Sequence, residues 1–96
     1  MTLREIINEL DSFSEDLVIF ATRDTTWQPD MPAALVLDSD TDLIGVQLED
    51  LSYFLEVEIA KEVVQVWREW NHGEPAESQK IDALIYYADN DAYIAI

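Results

Sequence analysis

Aspartates alternate along Asp38-Ser39-Asp40-Thr41-Asp42, and Glu49 stands eleven residues after Asp38. Carboxylates at those offsets fill positions 1, 3, 5 and 12 of a calcium-binding loop, where a hard cation gathers oxygen ligands. The match is partial. Position 6 of such a loop needs glycine for its sharp turn, yet Leu43 stands there and the nearest glycine is Gly45. The preceding residues, Ala33 to Leu37, also read as a strand where the motif needs an entering helix. In a chain with 21 acids such a coincidence is cheap. Asp38, Asp40, Asp42 and Glu49 are therefore weak metal candidates, and a solvated acidic turn is the better reading.

Other chemistries are poorly supplied. His72 is the one histidine, which rules out a two-histidine zinc site and makes it the sole base available to a serine triad. It sits beside Gly73, where a helix is expected to stop, and no nucleophile-elbow pattern surrounds any serine. With two glycines far apart and no cysteine, there is neither a phosphate-cradling loop nor a thiolate. Glu58 and Glu62 share one helical face, but Lys61 lies three residues from Glu58, and a solvated acidic face outweighs a catalytic pair. No catalytic residue and no cofactor is expected, and the balance leans away from an enzyme.

The aromatic residues suit recognition better. Trp67 and Trp70 are three residues apart, and Tyr86 and Tyr87 are adjacent. One member of each pair can be core while the other reaches the surface. Trp27, in the polar and proline-flanked run Thr26-Trp27-Gln28-Pro29, is the candidate exposed anchor, although a loop tryptophan can equally fold down onto its domain.

Charge limits the partners. The chain of 96 residues has 21 acids against 5 Lys and Arg, a net charge of −16. Residues 1–48 hold 10 acids and 2 bases and residues 49–96 hold 11 and 3, so each half has a charge of −8. A body of that charge repels nucleic acid and anionic membranes, and attracts basic proteins. An apolar share of 49% with ten aromatics is what a packed core needs, so the charge belongs to a folded domain and not a disordered tail. The absence of cysteine removes any disulfide framework. The opening Met1-Thr2-Leu3-Arg4-Glu5 has neither a basic n-region nor an apolar h-region, and no segment has the length of a membrane span. A cytoplasmic protein is expected.

The elements that must position these residues follow from periodicity. Thr2 and Glu5 form a capping box, and Leu3, Ile6, Ile7 and Leu10 repeat at helical spacing, which predicts a helix over 2–11. Leu17 to Thr22 reads as a central strand buried on both faces, and Ala33 to Asp38 as a second strand, with a loop between them. Leu43 to Leu48 is a candidate third strand, weakened by Gly45. From Asp50 or Ser52 to Trp70, the residues Leu55, Ile59, Val63, Val66, Trp67 and Trp70 predict a long helix, which Gly73 ends in the left-handed conformation. A further helix over 77–88 and a terminal strand over 92–96 complete the order α-β-β-(β)-α-α-β. That order lacks regular strand–helix alternation. It predicts a single α+β domain over 1–96, with a mainly antiparallel sheet of three or four strands and three helices.

The run from Tyr53 to Trp67, with the helix-opening Thr2-Leu3-Arg4-Glu5 and the element Trp27-Gln28-Pro29-Asp30, resembles small uncharacterised bacterial proteins. The likeness covers most of the chain and implies no activity or site residues. Three functional readings stand. The first is an acidic interaction or regulatory module, of which an inhibitor or immunity protein is one version. It would meet a basic partner through Trp27, Asp38, Asp40 and Asp42. The second is a carboxylate-based ligand- or metal-binding domain or enzyme. The third is a self-associating subunit, a homodimer.

Overall fold

The computed structural model describes residues 1–22, 27–37 and 51–93. Helix α1 spans Leu3–Asn8 and opens on the expected reciprocal cap: Glu5 N donates to Thr2 Oγ1 at 3.2 Å, and Thr2 N donates to Glu5 Oε1 at 2.9 Å. Six residues are too few to hold a helix in water. Burial of Leu3, Ile6 and Ile7 holds it instead, and a 3-10 turn over Leu10–Ser12 carries Leu10 into the same core.

Strands β1 (Leu17–Thr22), β2 (Ala33–Leu37) and β3 (Leu51–Glu56) form an antiparallel sheet in the order β2-β1-β3. The central place expected for β1 is observed, and its adjacent Val18 and Ile19 are both buried, one on each face of the sheet. The Leu51–Glu56 segment corrects the sequence reading, which began the long helix at Asp50 or Ser52. Its residues pair with β1 instead, where backbone ladder bonds and aromatic side chains on a pleated surface outweigh the helical spacing of Leu55. The pairing slips once. Ile19 faces Leu55 whereas Phe20 faces Tyr53, so Phe54 is an extra residue in a β-bulge. The bulge turns two consecutive side chains inward, and Phe54 and Leu55 are both buried.

Glu56 ends β3 and caps helix α2 (Val57–Asn71) without a connecting loop. Val57, Ala60, Val63, Val64 and Trp67 form the buried stripe of α2. Helix α3 (Glu77–Asn90) buries Ile81, Ala83 and Leu84. Its first turn is closed by Gln79, whose Oε1 accepts from Ala76 N at 2.8 Å. The stop of α2 differs from expectation. His72, not Gly73, takes the left-handed conformation, with φ of 55° and its N–H donating to the Arg68 carbonyl. Asp91 ends α3 in the same way with φ of 52°.

Among the described residues there are thus three α-helices and a three-stranded antiparallel sheet, an α+β arrangement in roughly the expected order. One core joins α1, the 3-10 turn, the inner face of the sheet, α2 and α3. The candidate strand over 43–48 lies outside the described residues. Of the expected terminal strand, Ala92 and Tyr93 are not extended into the sheet, and residues 94–96 lie outside the described residues. No helix among the described residues is long and apolar enough to cross a membrane.

Candidate functional site

Trp27 is not an exposed anchor. It is 5% exposed and its ring meets Phe54 edge to face, with centroids 4.9 Å apart. The cause lies in the backbone of its loop. The first N–H groups of α1 have no partner within the helix, and the loop supplies them: Leu3 N donates to the Met31 carbonyl at 3.0 Å and Arg4 N to the Pro29 carbonyl at 2.7 Å. The Arg4 side chain reaches Asp30 at 3.0 Å and also Glu77 on α3. Pinned in this way, the loop presses its tryptophan into the core.

Asp38, Asp40, Asp42 and Glu49 lie outside the described residues. Among the described residues no group of three or more His, Asp or Glu is arranged to hold a metal ion. His72 is exposed at the end of α2, as its place at the helix stop predicts. Lys61, read from spacing as the neighbour of Glu58, donates from Nζ to the Phe13 carbonyl at 2.6 Å. A cavity of about 110 Å³ at the foot of β1 is lined by Glu15, Asp16, Glu56 and Glu58 with Leu17 and Val18. Three of these acids are exposed and Glu56 is half-buried.

The residues best placed for recognition lie between α2 and α3. Val63, Val66, Trp67 and Trp70 recur at helical spacing on one side of α2, and with Ala83 of α3 and Tyr93 they line a narrow cleft of about 10 Å³. Trp67 is buried, whereas Trp70 is 56% exposed. One tryptophan is core and the other surface, as expected for that pair. Past the left-handed Asp91, the chain turns Tyr93 back over the helices. Its ring meets Trp70 at 5.9 Å with planes 73° apart and Tyr87 at 5.3 Å. The Tyr93 hydroxyl donates to Glu62 Oε1 at 3.0 Å. Burial first, then that hydrogen bond, pushes the Tyr93 phenol above its ordinary pKa. Trp67 Nε1 is buried with no acceptor in reach, an uncommon state for an indole N–H.

Spacing on α2 already placed Trp67 and Trp70 together. Tyr93 and Glu62 were missed as partners, because they are 31 residues apart and Tyr93 read as part of a strand.

The fold and cleft define a small α+β domain with an aromatic cleft between α2 and α3, beside which Tyr93 holds Glu62. The chain belongs to the family described as Domain of unknown function (DUF7716), whose model matches residues 1–96. No curated protein and no solved structure matches it.

Proposed function

We infer that the domain is a protein-interaction or regulatory module that meets a basic partner protein. The observation that carries this reading is the exposed Trp70 packed against half-buried Tyr93, beside Glu62, on a chain of net charge −16. Charge speeds encounter but discriminates little, and a half-exposed aromatic supplies the contact area that makes binding selective. Trp70 takes the anchoring role that the sequence reading gave to Trp27. Asp38, Asp40 and Asp42 keep theirs in steering. An inhibitor or immunity protein for a cationic nuclease is the narrower form of the proposal. Residence in the cytoplasm accords with the lack of cysteine, and the negative charge argues against direct contact with nucleic acid or membrane.

The test is capture from cell extract at low ionic strength, identification of the retained protein, and binding kinetics with that protein purified. Its association rate should fall steeply as the Debye length shrinks toward about 10 Å. Trp70→Ala should cost on the order of 2 kcal/mol, mainly through faster dissociation. Retention of no basic protein, or retention that ignores Trp70, would remove the proposal. Sedimentation of the domain alone separates it from self-association.

A further inference from the structure

We propose that Tyr93 is an autoinhibitory strap. Closed, it covers part of Trp70 and engages Glu62, and it must turn away before a basic side chain of the partner protein can use both. This rests on the interaction reading above and adds a control built over that surface.

The strap is fastened lightly. Helix α3 stops at Asp91, whose left-handed conformation redirects the chain. Beyond that point, among the described residues, neither Ala92 nor Tyr93 makes a backbone hydrogen bond. Tyr93 is held by its side chain: its ring against Trp70 and Tyr87, and its hydroxyl on Glu62. Ala92 and Glu62 are exposed and Tyr93 is half-buried. Water therefore competes for that hydrogen bond, which leaves it a small net worth. A segment with few buried contacts and no backbone ladder opens locally while the rest of a domain stays folded.

What lies beneath does not need the strap in order to fold. Val63, Trp67 and Ala83, which line the cleft together with Tyr93, are buried members of the main core. The space left under the closed strap is about 10 Å³, room for one water, so no ligand enters while Tyr93 is seated. The two groups that Tyr93 covers are the ones a basic side chain would use. The face of an indole draws a cation through the ring quadrupole, and Glu62 is the carboxylate that the Tyr93 hydroxyl engages at 3.0 Å. A ligand that binds only the open form has its apparent affinity reduced by the fraction of molecules that are open.

The experiment compares the wild type with Tyr93→Ala, which removes the strap, and with Tyr93→Phe, which removes only its hydrogen bond. With no ligand present, acrylamide should quench the tryptophan fluorescence of Tyr93→Ala more strongly than that of the wild type. Trp70 has then lost its cover and the cleft beside Trp67 is open. Equal quenching overturns the strap. Hexaarginine is next titrated into each protein at constant ionic strength and its binding measured by calorimetry. Tyr93→Ala should bind it about three- to tenfold more tightly than the wild type, which corresponds to a strap closed in roughly two thirds to nine tenths of molecules. Tyr93→Phe should fall between the two, and wild-type affinity in that variant overturns the hydrogen bond as the fastening. Hexaarginine that binds Tyr93→Ala no better than the wild type overturns the strap and leaves the interaction reading standing. Weaker binding overturns it too, and makes Tyr93 part of the surface the partner meets. Hexaarginine that binds none of the three proteins removes the interaction reading and the proposal with it. A Tyr93→Ala protein that has lost its fold makes Tyr93 a core residue, which also overturns the strap.

Discussion

Trp27 and Phe54 meet edge to face at 4.9 Å with planes 79° apart, and each was brought there by an irregularity: a loop bound to the start of α1 and a bulge in β3. Deleting either ring leaves a cavity that backbone already fixed by hydrogen bonds cannot close. Trp27→Ala and Phe54→Ala should each cost about 3–5 kcal/mol, as large-to-small changes in a core do. Small domains have only about 5–15 kcal/mol in all. Urea titration should therefore show midpoints far below that of the wild type, and a change under about 1 kcal/mol in either variant would show that the pair is not core.

The Thr2–Glu5 cap makes stability depend on acid. Hydrogen bonds from Thr2, first through its backbone N–H and then its side chain, hold the Glu5 carboxyl below its ordinary value of 4.5. A carboxyl depressed by folding contributes stability that is present above its unfolded pKa and is lost as pH falls through the folded one. The gap in melting temperature between the wild type and Glu5→Gln should be steady near neutrality and shrink below about pH 4.5. A gap that stays constant to low pH would show that the charge of Glu5 has no part in the cap.

The alkaline side has the opposite sign. Burial first and the nearby Glu56 second raise the Tyr53 phenol above 10, and burial followed by the Glu62 hydrogen bond does the same at Tyr93. An acid raised by folding gives stability that is whole below the unfolded pKa and declines as pH rises through the folded value. Tyrosinate absorbance should show at least two of the four tyrosines ionising later than free tyrosine. Tyr93→Phe should remove one late step, and Glu62→Gln should bring that step earlier. Four phenols titrating together near pH 10 would contradict the structure.

His72 holds a left-handed conformation with φ of 55°, which costs a residue bearing a Cβ roughly 1–2 kcal/mol relative to glycine. His72→Gly should therefore stabilise the domain by about 1 kcal/mol, less the entropy glycine loses on folding. His72→Ala should change it by under about 1 kcal/mol, because the exposed side chain has no packing to lose. Thermal melts of the two variants decide this, and a His72→Gly protein less stable than His72→Ala would refute it.

Local pattern was enough for α1, β1, β2 and α3. In each, a short-range periodicity agreed with its end signals: Thr2 and Glu5 at the start of α1, and Asp89-Asn90-Asp91 at the close of α3. It failed at Leu51–Glu56. Helical spacing continued backwards through Leu55, and no single residue there signals the change from strand to helix; Glu56 and Val57 take it up without a loop. Part of the cleft was visible as the spacing of Trp67 and Trp70. The rest depended on Tyr93 returning across α2, which no local period encodes.

The sequence by itself determined that this is one small acidic α+β domain without cysteine chemistry, because charge, composition and short-range periodicity are properties of the chain before it folds. Tertiary structure alone decided which tryptophan is exposed. Trp27 read as an anchor because its neighbours in sequence are polar, but burial follows neighbours in space. The carbonyls of Pro29 and Met31 are taken by the start of α1, and that backbone pairing carries Trp27 inward. Trp70 remains at the surface because Tyr93 covers only part of its ring, leaving it 56% exposed.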